Sequence, residues 1–353
     1  MSRRSRTAAA VFITTIAIGC GLSVGGLVGS DRPPIAATGR TFVDGSAASL
    51  LENRFESEHP LRTAAIALNA GARLVLFGEA AGDAVVGRGG WLFTLEEFER
   101  RPDDADRAAR RVAEIAEVRR RLLELDVEVA VVLVPSKARI YADRVPDRWR
   151  ALADHPRYEL ALQSLRERGV LAVDLRDALR AGNVPTYFAR DTHWTPTGAR
   201  RAARALAAAV ARRTHGLIGR ERYEIAAREP FVVEGDLMGF VPVGEVLRRR
   251  LGLVPEPAIA FRAAPAGTDD AGPGLFDELT IPVALVGTSY SRDPRWAFDD
   301  ALRLELGLDV LNVASAGEGP FEPMREYLQG DTISDVRPDL VVWEIPERYL
   351  TLP

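Results

Sequence analysis

The stretch VEVAVVLV at residues 127–134 decides the fold that this sequence predicts. It contains seven apolar residues and one glutamate, without the polar–apolar alternation of a half-buried strand. A continuous apolar run is typical of a strand that is buried on both faces of a parallel sheet. Residues 105–125 and 158–168 have helical patterns, and residues 170–175 form another short apolar run. This alternation predicts an α/β fold with a doubly wound, mainly parallel sheet.

The same patterns place the remaining elements. Thr195 is a suitable N-cap and Pro196 a suitable first residue for a helix that continues through residues 199–213. Helical spacing predicts a helical segment at residues 50–76. A hairpin is predicted with strands at residues 85–86 and 91–93. Residues 253–279 are rich in proline, glycine and aspartate and are predicted to form a surface excursion. Short apolar runs predict further strands at residues 281–286, 310–312 and 340–343.

The N-terminus has the pattern of a membrane anchor. Arg3, Arg4 and Arg6 precede an uncharged run at residues 7–30, which is long enough to cross a bilayer as a helix. Because the arginines stay in the cytoplasm, the bulk of the chain is expected outside. A cleaved signal sequence, a lipoprotein signal around Cys20 and a buried soluble helix are the alternatives. We expect an anchor or signal at residues 1–30, a linker at 31–48 and one catalytic domain at 49–353.

Composition excludes several classes of function. The net charge is −4 over 353 residues, and no basic block follows the N-terminus, so we expect no nucleic acid partner. Cys20 is the only cysteine, which rules out an intrachain disulfide and a cysteine-type zinc site. No pair of the four histidines has the HExxH spacing. We therefore expect no metal site.

A glycine and a serine follow the predicted strand at residues 281–286. Ligands of open α/β sheets collect at the carboxyl ends of the strands. Gly287 permits a tight turn there, and Ser289 can point its hydroxyl out of the sheet edge, with backbone N–H groups near a developing oxyanion. The turn is not the GxSxG elbow, because residue 291 is a serine. In the alternative interpretation, Ser289 or Ser291 only caps the next helix.

Asp191 and His193 form the second candidate element. A serine hydroxyl becomes a good nucleophile when a base accepts its proton, and imidazole suits that task near neutral pH. A carboxylate then orients the ring. Residues two apart in an extended segment project to the same side, so both side chains can face one cleft. The alternative is a loop histidine with Trp194 packed beneath it.

These motifs, taken in order, resemble the SGNH hydrolase-like domain of the alginate O-acetyltransferase family, the AlgJ/AlgX type. The matches run from about residue 53 to the C-terminus and include DTHW at 191–194 and GTSYS at 287–291. The other matches are NRF at 53–55, PLR at 60–62, GRGGWLF at 87–93, VPSK at 134–137, GEGPF at 317–321 and WEIPER at 343–348.

The resemblance implies that Ser289 is the nucleophile, His193 its base and Asp191 the orienting acid. In this family the Asp/His element precedes the serine and its two residues are two apart, whereas ordinary SGNH hydrolases place the serine first and separate Asp and His by three. It also implies acetyl transfer to a polysaccharide through an acyl-serine, without a metal or tightly bound cofactor. The implied acetyl donor is a membrane-bound O-acyltransferase, and the implied location is the inner membrane, single-pass, with a periplasmic catalytic domain.

Other residues are weaker candidates for the site. Asn312, Gly317 and Gly319 follow a predicted strand and are candidates for the oxyanion hole. Tyr290 and Arg295 follow the nucleophile and are candidates for the oxyanion hole or for substrate binding; Arg292 belongs with Arg295 as a candidate for an anionic sugar site, and Trp296 is more often core.

Two further predictions concern charged residues. Lys137 follows a strand end and is a candidate for binding a substrate carboxylate, although a solvated lysine is the simpler interpretation. Glu344, Glu347 and Arg348 are interpreted as an ion pair that fixes the C-terminus.

Two alternative functions are open at this point. An esterase that removes acetyl groups uses the same triad and differs only in the acceptor. A catalytically inactive glycan-binding scaffold with the same fold is the alternative from another class.

Overall fold

The computed structural model describes residues 40–41, 44–58, 62–77, 80, 82–213, 217–219, 222–266 and 281–352. The predicted anchor and most of the predicted linker lie outside the described residues, as do His59, His215 and residues 267–279. Within the described ranges, none of the helices combines the length and the apolar character needed to span a bilayer.

The chain divides into two compact units. One comprises residues 1–78 and 242–247. Its described part contains the helices α1 (Ser46–Glu58) and α2 (Arg62–Phe77), which confirms the helical pattern at residues 50–76 but divides it in two. The other unit comprises residues 79–241 and 248–353 and contains the sheet.

The second unit is built around a parallel sheet. Its described strands are β1 (Ala84–Val86), β2 (Leu92–Thr94), β3 (Glu128–Val134), β4 (Leu171–Asp174), β5 (Tyr223–Val233), β6 (Glu256–Pro265), β7 (Val283–Val286), β8 (Val310–Asn312) and β9 (Leu340–Pro346). Five of them form one sheet in the order β4-β3-β9-β7-β8, and every neighbouring pair is parallel. The predicted α/β fold with a mainly parallel sheet is confirmed.

Helices cover both faces of this sheet. After α1 and α2, the described helices are α3 (Asp104–Leu123), α4 (Lys137–Ile140), α5 (Asp147–Ala153), α6 (Arg157–Glu167), α7 (Arg176–Arg180), α8 (Pro196–Arg213), α9 (Glu245–Arg250), α10 (Ser289–Arg292), α11 (Phe298–Leu306), α12 (Phe321–Gln329) and α13 (Thr332–Val336). The predicted helices at residues 105–125, 158–168 and 199–213 correspond to α3, α6 and α8.

The burial of β3 on both faces explains why its sequence does not alternate between polar and apolar residues. Val129, Val131 and Leu133 lie in one apolar cluster with side chains of α3, α6 and α12. Ala130 and Val132 lie in a second cluster with α8 and α11. Since successive side chains of a strand point to opposite faces, both faces of β3 need apolar residues.

Besides the main sheet, the described residues contain two separate two-stranded antiparallel sheets. The hairpin predicted around the glycines of residues 87–90 is confirmed by the pairing of β1 with β2. The surface excursion predicted at residues 253–279 is wrong for its first half, because β6 pairs with β5 along nearly its whole length. Its prolines suggested a loop, but a two-stranded sheet has outer edges where a missing N–H costs no ladder hydrogen bond.

The predicted C-terminal ion pair is also wrong in its partners. Glu347 is buried and accepts hydrogen bonds from Arg139 at 2.8 Å and Arg157 at 2.9 Å. Burial alone would raise the pKa of Glu347, but the hydrogen bonds from Arg139 and the charges of both arginines bring it to about 2. Arg348 pairs with Glu96 at 3.1 Å. The chain end is therefore fixed to residues far away in the sequence.

Candidate active site

The carboxyl edge of the sheet brings the two candidate motifs together. Strand β7 ends at Val286, and Gly287 and Thr288 lead into the short helix α10, which begins at Ser289. Thr288 is the N-cap of α10, since its side chain accepts a hydrogen bond from the Tyr290 N–H at 3.3 Å. The cap fixes the backbone on which the Ser289 hydroxyl is carried.

Asp191 and His193 lie in a tight loop before α8. Phe188 and His193 are joined by a backbone hydrogen bond at 3.2 Å, and Tyr187 and Trp194 form an isolated antiparallel bridge. Thr195 caps α8 by accepting from Gly198 N–H at 3.2 Å, as its position predicts. This loop presents the Asp191 and His193 side chains to the turn after β7.

Ser289, His193 and Asp191 form a continuous hydrogen-bonded row. His193 Nε2 lies 2.7 Å from Ser289 Oγ, and His193 Nδ1 lies 2.6 Å from Asp191 Oδ1. With a carboxylate at Nδ1, the proton belongs on Nδ1, so that Nε2 can accept from the serine hydroxyl. The row has the geometry that activates a serine as nucleophile.

Asp191 is held in its ionised form. It is buried, and burial alone would raise its pKa, but the hydrogen bonds and charge of His193 outweigh burial and lower the pKa. Its Oδ2 also accepts from the Asp236 N–H at 3.1 Å. A carboxylate in this position can stabilise an imidazolium.

Aromatic rings fix the orientation of the histidine. The ring of Trp296 stacks on His193 with centroids 5.3 Å apart and an interplanar angle of 21°. The ring of Tyr290 lies 4.8 Å away, and its hydroxyl donates to Thr192 O at 2.5 Å. Trp296 and Trp194 are both buried, which agrees with a packing role for each. Little rotation of the imidazole is possible in this surrounding.

Glu344 organises the serine turn in a way that the sequence did not reveal. It lies on β9 and is fully buried, and its carboxylate accepts from Thr288 N–H at 2.8 Å. It also accepts from the hydroxyls of Thr288 and Ser291, each at 3.0 Å. Ser291 is thus a support for the turn, and the predicted ion-pair role of Glu344 is replaced by this one.

The carboxylate of Glu344 leaves no space for a side chain at residue 287, which explains the glycine there. A Cβ at residue 287 would lie 2.6 Å from Glu344 Oε2 and 2.9 Å from Ser291 Oγ, closer than real Cβ contacts allow. We expect Gly287→Ala to destabilise the protein by about 1–3 kcal/mol through overpacking. Urea unfolding measures this effect. The control is Gly239→Ala, where the added Cβ meets no atom within 4 Å and stability should hardly change; equal stabilities for both variants would contradict the argument.

The position of Lys137 differs from both predictions, a solvated lysine and a ligand of a substrate carboxylate. Its side chain is 1% exposed, and its ammonium donates to Asp191 O at 2.7 Å, Phe188 O at 3.2 Å and Ala189 O at 3.4 Å. Burial lowers the pKa of Lys137 to about 8, against the opposing charge of Glu97. Lys137 therefore fixes the backbone that carries Asp191.

Asp236 is a further residue that the motifs did not indicate. Its carboxylate accepts from the Thr192 N–H at 2.8 Å and the Thr192 hydroxyl at 2.5 Å. Its Oδ2 lies 3.9 Å from His193 Nδ1. Asp191, His193 and Asp236 each offer a ligand atom within 4.8 Å of the others and could hold a metal ion. Because His193 Nδ1 is hydrogen-bonded to Asp191, a metal there would have to displace its proton.

The remaining predicted residues surround the serine turn. Asn312 donates from Nδ2 to Ser291 O at 2.8 Å, which uses one of its two amide N–H bonds. Gly317 and Gly319 have positive φ values of 92° and 69° in the loop after β8, and this loop joins the turn where Ser315 N–H donates to Gly287 O at 3.1 Å. Tyr290 is buried behind the histidine, as described above.

The two arginines that follow Ser289 are exposed. Arg295 pairs with Asp293 at 2.6 Å, and its guanidinium lies 4.8 Å from the centroid of the Trp296 ring. Arg292 ends α10, three residues after Ser289, and is exposed. Residues three apart on a helix are neighbours, so its side chain lies on the same side of α10 as the serine.

The parallel sheet, the serine turn after β7 and the Asp/His loop at the same edge define an SGNH hydrolase-like protein. The family model described as an SGNH hydrolase-like domain, acetyltransferase AlgX, matches residues 84–347. The chain belongs to this family, and the resemblance drawn from its motifs is confirmed.

Two alginate O-acetylase relatives are similar over most of the chain. The probable alginate O-acetylase AlgJ of Pseudomonas aeruginosa is 35% identical over 326 residues, which cover 90% of this chain and 83% of that protein. The protein of the same name from Pseudomonas putida is 33% identical over 358 residues, with 100% and 91% coverage.

Solved structures agree with the fold. The O-acetyltransferase domain of Pseudomonas putida AlgJ is similar with a TM-score of 0.66 and 35% identity, covering 76% of this chain and 93% of that domain. Pseudomonas aeruginosa AlgX is 22% identical with a TM-score of 0.58, covering 74% of this chain and 61% of that one, and is similar in fold.

Proposed function

We propose that this protein is an O-acetyltransferase that acetylates hydroxyl groups of an exopolysaccharide through an acetyl-serine intermediate. The row Ser289–His193–Asp191 is the observation that carries the proposal, with contacts of 2.7 Å and 2.6 Å. The names of the relatives, alginate O-acetylase AlgJ, support alginate or a similar polymer as the acceptor.

The reaction proceeds in two displacements. Ser289 Oγ attacks the acetyl carbonyl carbon of the donor while His193 Nε2 takes the hydroxyl proton, and His193 returns the proton to the leaving group. A sugar hydroxyl then attacks the acetyl-serine ester. His193 takes the proton of that hydroxyl and delivers it to Ser289 Oγ as the ester bond breaks. The acetylated sugar leaves, and the serine is regenerated.

The oxyanion of each tetrahedral intermediate needs hydrogen-bond donors. The N–H of Ser289 is at the first position of α10, where N–H groups have no acceptor within the helix. The second amide N–H of Asn312 and the N–H groups of Gly317 and Gly319 are the other donors that we assign to this task. The exposed Arg292 and Arg295 suit the carboxylates of an acidic sugar.

The proposal extends to the location of the protein and to its acetyl donor. The uncharged run at residues 7–30 supports an N-terminal anchor, which would hold the catalytic domain at the outer face of the inner membrane, in the periplasm. A membrane-bound O-acyltransferase passes acetyl groups across the bilayer to Ser289. The anchor keeps the acceptor of those groups close to their source.

An assay with two acceptors tests the reaction. The full chain is incubated with p-nitrophenyl acetate, with and without alginate oligosaccharide, and the oligosaccharide is analysed by mass spectrometry. We expect acetylated oligosaccharide and faster nitrophenol release when the acceptor is present. Release of nitrophenol with free acetate as the only product, whatever the acceptor concentration, would instead identify an esterase.

A further inference from the structure

The Nδ1 atom of His193 faces three side-chain oxygen atoms, of which Asp191 supplies only one. Asp191 Oδ1 lies at 2.6 Å, the Thr192 hydroxyl oxygen at 3.3 Å and Asp236 Oδ2 at 3.9 Å. A carboxylate oxygen can only accept a hydrogen bond, whereas a hydroxyl can accept one or donate its own proton. The direction of the Thr192 hydroxyl therefore decides whether it supports a proton on Nδ1 or competes with it.

Asp236 fixes that direction. Its Oδ1 accepts from the Thr192 N–H at 2.8 Å and its Oδ2 accepts from the Thr192 hydroxyl at 2.5 Å, so one carboxylate binds both donors of one residue. The hydroxyl has a single proton, and Asp236 holds it. The Thr192 oxygen then presents a lone pair to His193, and a lone pair can only accept from an N–H on Nδ1.

The backbone around Asp236 is tied to the loop that carries the Asp/His pair. The Asp236 N–H donates to Asp191 Oδ2 at 3.1 Å, and the Leu237 N–H donates to Arg190 O at 3.2 Å. Gly235 has a φ of 88°, and a Cβ there would lie 2.3 Å from Arg190 O. This close approach of two backbones holds the Asp236 carboxylate beside Thr192, although its side chain is 44% exposed.

We propose that Asp236 is a positioning residue that acts through the Thr192 hydroxyl to keep the proton of neutral His193 on Nδ1. Nε2 is then unprotonated and can accept the proton of Ser289 across the 2.7 Å contact. The two carboxylates have different tasks, since Asp191 orients the ring and Asp236 orients the hydroxyl beside it. The inference rests on the proposed role of His193 as the base.

Asp236→Asn tests this inference, because it keeps the shape of the side chain and reverses one hydrogen bond. The amide oxygen still accepts from the Thr192 N–H, so the amide NH₂ faces the hydroxyl, and the Thr192 oxygen must accept there. Its proton is then free to turn toward His193 Nδ1. We expect nitrogen NMR of the full chain with ¹⁵N-labelled histidine, at a pH where the ring is neutral, to show the Nε2–H tautomer of His193 in this variant and only the Nδ1–H tautomer in the wild type.

Two further variants complete the NMR experiment. The signals of His193 are assigned by their absence from the spectrum of His193→Gln. Asp293→Asn is the matched control, because Asp293 is another carboxylate within electrostatic reach of His193 but accepts its hydrogen bonds from Arg295. This control removes a charge near the ring without changing the Thr192 hydroxyl, so it should retain the wild-type tautomer.

A double-mutant cycle tests whether Asp236 acts through Thr192. The rate of labelling by a fluorophosphonate probe measures the activation of Ser289 without an acetyl donor or a sugar acceptor. We expect Asp236→Asn to lower this rate about tenfold, the size of one hydrogen bond. In the Thr192→Val background, where no hydroxyl is left to reverse, the same change should alter the rate less than about twofold.

The wild-type tautomer in Asp236→Asn, or equal falls of the labelling rate in both backgrounds, would overturn the inference. The tautomer decides it even in a protein that the probe does not label. A wild-type protein that shows these effects but transfers no acetyl group would refute the proposed function and leave the role of Asp236 standing.

Discussion

Ser289→Ala is expected to lower the rate of acetyl transfer by about 10⁴-fold or more. Without the hydroxyl, no acetyl-serine forms, and the imidazole of His193 has no nucleophile to activate. The alanine leaves the backbone of α10 and the Thr288 cap in place, so the fold should be retained. Transfer is measured as acetylated oligosaccharide per enzyme, and folding as the midpoint of thermal unfolding.

Ser291→Ala is the matched control for this variant, because Ser291 lies in the same turn but its hydroxyl donates to Glu344. Its loss should cost about 1 kcal/mol of stability, as for a typical hydrogen bond. A fluorophosphonate probe should label wild type and Ser291→Ala but not Ser289→Ala. A folded Ser289→Ala protein with normal transfer would refute the mechanism, and absence of labelling in the wild type would favour a non-catalytic scaffold.

The sheet and the row of three side chains could be predicted because their signals are local. Strand β3 is apolar from Val129 to Val134, since both of its faces are buried, and the eight residues 127–134 contain a single polar residue. The Asp/His loop and the serine turn each follow or precede a predicted element, where functional groups of α/β proteins collect. Because both segments were expected at one edge of the sheet, their proximity in the structure could also be predicted.

The supporting charges could not be predicted because their partners are distant. Glu344 bonds to Thr288, 56 residues away, and Lys137 to carbonyls 51–54 residues away. Lysine and glutamate are mostly exposed, so the general rule for these residue types gives the wrong answer at both positions. The same holds for β6, whose extended form is set by pairing with β5 rather than by its own composition.

Lys137 is the only lysine in this sequence, which otherwise uses arginine. The choice of lysine at this position is therefore informative. An ammonium is compact and has three rotatable donors, which match three carbonyl oxygens that converge from one loop. A guanidinium is planar and larger, with its donors in a fixed fork. We therefore assign Lys137 as a positioning residue for the loop that carries Asp191.

The protonation state of Lys137 should control this loop. Burial lowers its pKa from the ordinary 10.5 to about 8. Above that pH the neutral amine has only two N–H donors for three carbonyls, so one contact to the loop is lost. Between about pH 8 and 10.5 the unfolded chain retains the proton that the folded protein has released. The contribution of Lys137 to the free energy of unfolding therefore rises with pH in this window. Its hydrogen bonding to the loop weakens over the same pH range.

Lys137→Met is expected to lower kcat/KM by about 10²-fold, because small displacements of catalytic groups have effects of this size. In the wild type, kcat/KM should fall as the pH rises through about 8, the pKa of Lys137; in Lys137→Met the fall should be absent, since no titrating group remains at that position. Profiles of kcat/KM against pH for both proteins measure this. Arg88→Met, which removes an exposed cation paired with Asp147, serves as the control and should follow the wild-type profile. A wild-type profile that stays flat up to pH 10, or a Lys137→Met protein with the wild-type decline, would show that the ammonium does not hold the loop.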